Sequence, residues 1–223
     1  MANEQLSNSQ ILIKECVAQE YAEAASFENE AAYFEYFAAA QVLKDYDLSD
    51  EEIESGIIGA GNDGGCDAMY IFLNKNLILP DQIETIRISK ESSVEVIIIQ
   101  AKRENSFRED AIMKWKTVSD NLLQLSNSLE DFKTRYNEDV LELFRTFRDL
   151  HTKLIRNRVK LKFKFVYSIL YKPCIFKAYR LLNVQTLCIF PCFCPYEPKQ
   201  GKFFILRRLP YPAVLRKYAS LPL

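Results

Sequence analysis

Val94-Glu-Val-Ile-Ile-Ile-Gln-Ala-Lys102 is the stretch on which the fold turns. It is rich in β-branched side chains and follows the turn-like pair Ser92-Ser93, so it predicts a strand. Alternate residues of a strand share a face, which lines up Val94, Val96, Ile98, Gln100 and Lys102. An amide and an ammonium thus close an otherwise apolar face. Working outward, residues 66–73 and about 83–89 read as two earlier strands, with Asn74, Asn76 and Pro80 in the turns between. From 107 to about 150 the apolar spacing changes to threes and fours (Ile112, Trp115, Val118, Leu122, Leu125, Leu129, Phe132, Tyr136, Val140, Leu143, Phe147). That periodicity is helical, in one helix or in two broken near Asn127-Ser128. Residues 159–170 then alternate strictly. Lys160, Lys162 and Lys164 fall on one side and Leu161, Phe163 and Phe165 on the other, which is a strand.

Before the strands, residues 10–25 predict a helix with Ile11, Leu12, Cys16 and Val17 facing inward. A second helix, rich in Ala, Phe and Tyr, is expected from 28 to about 46. Ser49-Asp-Glu-Glu52 has capping-box spacing and opens a short third. Five of the six glycines fall in Gly56-Ile-Ile-Gly-Ala-Gly-Asn-Asp-Gly-Gly65, a loop that needs unusual backbone angles or close approach. The order is α, β, β, β, α, β. It predicts an α/β domain with a mixed-sheet core: an antiparallel meander, a helical crossover and a returning strand, flanked by helices.

Composition narrows the chemistry. Hydrophobic residues make up 48% and charged residues 26% of the 223, ordinary for a globular chain. The sequence has neither a membrane-length apolar run nor a signal-peptide pattern, which predicts a cytoplasmic protein without a membrane partner and with reduced cysteines. Residues 1–150 hold 14 Lys+Arg against 29 Asp+Glu, a balance of −15, whereas residues 151–223 hold 15 against 1, a balance of +14. Either the basic half binds a polyanion or the two halves pair with each other. His151 is the only histidine, which removes Ser-His-Asp triads and histidine-rich zinc sites. Hydrolytic chemistry here must rest on carboxylates, lysine and a hard cation.

The candidates for such chemistry converge in this reading. Asp67 stands at the start of the first predicted strand, where it can neighbour the Gln100–Lys102 end of the third. Glu35 shares a helical stripe with Ala39, Val42 and Tyr46, so its carboxylate either faces the body of the protein and needs a partner, or sits solvated at the stripe's edge. Mg²⁺ or Mn²⁺ would suit Glu35, Asp67 and the Gln100 carbonyl as oxygen ligands. Lys102 could orient water or stabilise charge on phosphorus.

Three segments carry a family resemblance. Residues 34–56, from Phe34-Glu-Tyr-Phe to Glu-Ser-Gly56, resemble the opening of abortive-phage-infection (AIPR) proteins. Asp63-Gly-Gly-Cys-Asp67 resembles their glycine-rich acidic loop, and Ile97-Ile-Ile-Gln-Ala-Lys102 their Gln-x-Lys strand. The same trio marks Mrr-like nucleases of the PD-(D/E)XK superfamily. The resemblance covers about residues 28–170 and implies a restriction-endonuclease-like fold. It implies Glu35, Asp67, Gln100 and Lys102 as the catalytic set, with Glu35, Asp67 and Gln100 on the metal and Asp63 as an accessory. The expected activity is Mg²⁺-dependent cleavage of nucleic acid, DNA ahead of RNA, in phage defence. The alternative is a catalytically impaired nuclease-fold remnant, or a module that holds nucleic acid or protein. Lys160, Lys162 and Lys164 are the expected nucleic-acid contacts.

The expected organisation is an N-terminal helix at 1–27, the nuclease-like domain at 28–170 and an atypical tail at 171–223. The tail has seven of the eight prolines and four of the six cysteines. It departs from the family pattern and reads as a truncated or frame-shifted end that adds nothing to the core. Gly59-Ala-Gly-Asn-Asp-Gly64 matches a dinucleotide fingerprint in letters only, because a strand should precede it and a helix follow. Cys188, Cys192 and Cys194 lack the paired spacing of a zinc site. The stripe from Trp115 to Phe147 is either core packing or the seam of a homodimer.

Overall fold

A computed structural model describes residues 8–24, 26–59, 61–86, 92–103, 110–157 and 159–169, together with a short strand at 185–187. Among the described residues, five α-helices pack on an open mixed sheet of order β2-β1-β3-β4-β5. The helices are α1 (Asn8–Glu23), α2 (Glu30–Leu43), α3 (Asp50–Glu54), α4 (Asp110–Val118) and α5 (Glu138–Leu154). The strands are β1 (Ala68–Leu73), β2 (Asn76–Leu77), β3 (Ser93–Lys102), β4 (Lys160–Ile169) and β5 (Gln185–Leu187).

β3 is the centre of this arrangement. It runs antiparallel to β1, with Ala68 opposite Ile99 and Leu73 opposite Val94. It runs parallel to β4, with Ser93 opposite Lys160 and Lys102 opposite Ile169. The parallel pair needs a long crossover, and α4 and α5 supply it. Met69, Ile71, Val96, Ile98, Phe165 and Tyr167 meet Trp115, Val118, Phe144 and Phe147 of the crossover. On the opposite face Tyr70, Phe72, Ile97, Ile99 and Val166 meet Ala39, Val42 and Leu43 of α2. α1 packs outside α2 through Val17 against Tyr33, Phe34 and Phe37.

Local signals account for the element ends. Asn29 caps α2, its side chain accepting from the N–H groups of Ala31 and Ala32. Ser49 and Glu52 make the expected capping box on α3. The helical stretch is broken, as its two-helix reading expected, but over a wider span. A π-helical turn (Ser119–Leu123) ends α4, a 3-10 turn (Leu129–Phe132) follows, and Asn137 caps α5. Arg148 satisfies the carbonyls freed by that break, donating to Leu122, Gln124 and Asn127. The Trp115–Phe147 stripe is used within this core: Trp115, Val118, Leu122, Val140 and Phe147 are all buried.

Several expectations need correction. The second strand is not at 83–89. Asn74 and Lys75 both take positive φ, 52° and 72°, the signature of a tight hairpin turn, so the chain reverses at once and β2 pairs with β1 at 76–77. Pro80 then opens a 3-10 turn (Pro80–Gln82), and 83–85 continue as turn; residues 87–89 lie outside those described. The three strands are therefore not a simple meander, because β3 pairs with β1 rather than β2. On α1, Ile11 and Leu12 are 44% and 64% exposed. The inward face runs through Ile13, Val17 and Tyr21, four residues apart, and Cys16 lies at its margin. The tail is not wholly outside the sheet either. Gln185–Leu187 pairs parallel with Lys164–Val166 of β4. This strand sits in the proline-free interval between Pro173 and Pro191, where nothing removes a ladder N–H.

Among the described residues, no helix is long and apolar enough to cross a membrane.

Candidate active site

The ends of β1 and β3 create the site. Ala68, the first residue of β1, is in register with Ile99 of β3, so Asp67 enters the sheet beside Gln100. Asp67 is 2% exposed. Its Oδ2 accepts the Ala101 N–H at 2.7 Å and the Lys102 ammonium at 3.1 Å, and Oδ1 lies 3.3 Å from the same Nζ. Burial raises the Asp67 pKa, and the charge of Lys102 opposes that rise. Burial works against the Lys102 charge, but Asp67 outweighs it and the ammonium is held above its usual range.

Glu35 comes from the other side of the sheet. Phe34 and Ala38 pack against Ala101 at the end of β3, which brings the N-terminal half of α2 to the strand ends. Glu35 is half-buried there, and its pKa is raised to about 7, first by burial and then by the Asp67 charge. Glu35 is thus neither fully solvated nor fully buried, and it lies near enough to Asp67, Lys102 and Asp63 to feel their charges. Arg103 pairs with Glu30 at 2.8 Å and ties the first turn of α2 to the end of β3.

Gln100 is 2% exposed, and its side-chain oxygen has no hydrogen-bond partner among the described residues. A buried amide oxygen left unpaired is costly. It lies on the same strand face as Lys102 and next to the start of β1, so it is available to a ligand at this site. The donor set is two carboxylates and an amide oxygen, all hard donors that suit Mg²⁺ or Mn²⁺. Among the described residues no three His, Cys, Asp or Glu side chains form a ready metal cluster, and the third donor here is the amide.

The glycine loop delivers Asp67 and is held from three directions. Asp63 accepts the Gly65 N–H at 2.5 Å. The fully buried Trp115 donates its indole N–H to the Gly65 carbonyl at 2.7 Å. Asn137 donates to the carbonyls of Gly59 and Gly61, both at 2.8 Å. Gly65 has φ +85°, and a Cβ there would sit 3.1 Å from Gln100 Nε2 and 3.3 Å from Lys114 Cβ. The backbone angle favours glycine, and a Cβ would also crowd both neighbours.

Glu35, Asp67, Gln100 and Lys102 thus lie at one end of the sheet. Lys160, Lys162 and Lys164 do not. They pair in register with Ser93, Glu95 and Ile97, on the α2 face and toward the opposite end of β3. Lys162 is five residues from Tyr167, the partner of Gln100, roughly 17 Å along a strand. Lys162 Nζ lies 2.5 Å from Glu95 Oε1, and Tyr46 donates to the other Glu95 oxygen at 2.8 Å. Burial would raise the Glu95 pKa, but these two hydrogen bonds hold it below its ordinary value. Burial lowers the Lys164 pKa. His151 stacks on Phe147 at 5.6 Å near the end of α5 and takes no part.

Sequence reasoning missed Asn137, Trp115 as an anchor of the loop, and the Arg103–Glu30 tie. Asn137 precedes Glu138-Asp139, a usable cap signal, but the apolar stripe running through Tyr136 and Val140 hid it. Comparison with protein-family models, with curated proteins and with solved structures found no match.

Proposed function

We propose that this chain is a metal-dependent nucleic-acid phosphodiesterase with a restriction-endonuclease-like core, of the Mrr-like kind that the AIPR resemblance implies, serving phage defence. The observation that carries the reading is the Asp67–Lys102 pair at 3.1 Å beside a Gln100 side-chain oxygen with no partner among the described residues, with Glu35 close enough to feel the charges of Asp67 and Lys102. The strand order also supports it: β1 and β3 antiparallel, then a helical crossover to a parallel β4.

Glu35, Asp67 and Gln100 Oε1 would hold Mg²⁺ or Mn²⁺. When bound, the cation lowers the pKa of water and offsets charge on the phosphate. Lys102 is positioned by Asp67 to donate to a phosphate oxygen or to the attacking water, adding fixed positive charge where negative charge develops. The Ala101 N–H fixes the Asp67 rotamer. The Trp115 and Asn137 bonds keep the loop from moving Asp67 away. Of the β4 lysines, Lys160 is exposed and stands opposite Ser93, at the other end of β3 from Gln100 and Lys102, so it would contact nucleic acid only away from the metal site.

The test is to incubate the purified chain with plasmid DNA, or with RNA, in Mg²⁺ or Mn²⁺ beside an EDTA control. Metal-dependent cutting that disappears in Asp67→Asn is expected. A second reading is a module that holds nucleic acid without cutting. It is favoured by the completeness of the Asp67–Lys102 pairing, which already satisfies much of the carboxylate. It predicts binding without cleavage in the same experiment.

A further inference from the structure

The candidate site is acidic, with Glu35, Asp67 and Asp63 close enough to influence one another. A nucleic-acid backbone approaching it needs cations at the rim. At this end of β3, Lys102 is engaged by Asp67 and Arg103 by Glu30. On α4, Lys116 is engaged by Asp120 one turn away. Lys114 differs. It is exposed, and it makes no ion pair among the described residues.

Its place is fixed by packing. The neighbouring Trp115 is fully buried and bonded to the Gly65 carbonyl, which sets the rotation of α4 over the loop. Lys114 Cβ and the Gln100 amide then flank the same point above Gly65, 3.3 and 3.1 Å from where a Cβ would stand. Gln100 and Lys114 therefore close on Gly65 together, which roots Lys114 beside Gln100, and Asp67 stands at the strand position opposite Gln100. From that root an exposed, flexible four-carbon stem can carry its ammonium over the Gln100–Asp67 end of the sheet.

We infer that Lys114 is a phosphate-binding residue of the candidate active site, holding the backbone of the nucleic-acid strand over Gln100 and Asp67. The inference rests on the proposed phosphodiesterase reading and adds a substrate contact to it. Lys114 positions; it does not take part in bond breaking.

The experiment uses the full chain and a fluorescein-labelled DNA duplex. Binding is followed by anisotropy in EDTA over a salt series, and cleavage is followed separately in Mg²⁺. For Lys114→Gln the slope of log K against log salt should become shallower by about 0.9, one phosphate contact. Cleavage should show a KM raised about tenfold with kcat little changed. Lys114→Arg should restore both, because it keeps the charge. Lys116→Gln, whose charge is already engaged by Asp120, should match the unaltered chain. An unchanged slope and KM in Lys114→Gln overturns the inference. If the unaltered chain binds DNA but does not cut it, the phosphodiesterase reading fails while the slope still decides the Lys114 contact. If the unaltered chain does not bind DNA, both fail.

Discussion

Asn137→Ala should be among the most damaging single changes outside the apolar core. Three side-chain hydrogen bonds would go. Oδ1 caps α5 by accepting from Val140 N–H at 2.9 Å, and Nδ2 donates to the Gly59 and Gly61 carbonyls. Loss of an Asn cap costs about 1 kcal/mol. The two neutral bonds to the loop are worth roughly 0.5–1 kcal/mol each, the low side of the usual range because water can reach them. The sum is about 2–3 kcal/mol, on the order of 5–10 °C in Tm for a chain of this size. Urea unfolding should show a lower midpoint with an unchanged slope. Asn137→Asp separates the terms: an aspartate caps as well as asparagine but cannot donate, so it should lose only the loop contribution, about 1–2 kcal/mol. The Asn137 N–H bond to Asn62 O survives in both variants. The reasoning is refuted if Asn137→Ala shifts stability by less than about 0.5 kcal/mol, or if Asn137→Asp is as stable as the unaltered chain.

Three further outcomes are expected. Asp67→Asn keeps an acceptor for the Ala101 N–H but removes the charge facing Lys102, so cleavage should be lost while circular dichroism shows the fold retained. For Glu35 the folded pKa of about 7 lies above its ordinary 4.5, so the folded state binds the proton more tightly and stability falls as pH rises from 4.5 through 7. Glu35→Gln should therefore raise the urea midpoint at pH 8 and leave it nearly unchanged at pH 5; an equal effect at both would contradict the burial argument. Ending the chain at residue 171 removes β5 and bares the edge of β4, so the shortened chain should self-associate on gel filtration and melt earlier than the full chain. Identical behaviour of the two would show that β5 adds nothing.

The parts of the fold legible in the sequence were those with a strong local signal. The Val94–Lys102 run, the Lys160–Phe165 alternation and the Ser49 capping box each state their structure within a few residues. What was hidden depended on partners distant in sequence. Whether Ile11 or Ile13 faces inward on α1 is decided by where Tyr33 and Phe37 of α2 lie, since α1 has apolar residues on more than one side. The turn at Asn74-Lys75 was visible as turn chemistry, but not that it closes after two residues and leaves β3 to pair with β1. The site follows the same division. Gln100 and Lys102 could be aligned from strand periodicity, whereas Asp67 was placed near them only through an expected meander, and it is the direct β1–β3 pairing that puts it beside Gln100. Lys114 could not, because it reaches the site only through the burial of Trp115 against the glycine loop.

The charge split between the halves of the chain bears on the β4 lysines. A basic segment following an acidic one can be a surface for a polyanion or the complement of its own chain. On β4 the register supplies an internal carboxylate to one of the three lysines. Lys162 is opposite Glu95 and bonds to it, and Tyr46 completes that carboxylate. Lys164, half-buried beside the same group, feels Glu95 and Asp45. Lys153 extends the pattern with neutral acceptors, donating to the carbonyls of Ile83 and Glu84. A lysine on the strand surface that is already paired with a carboxylate adds less net positive potential for a phosphate than an unpaired one. Nucleic acid at the Asp67 site would therefore be held by cations near that site with no such commitment, and on α4 that description fits Lys114 rather than Lys116.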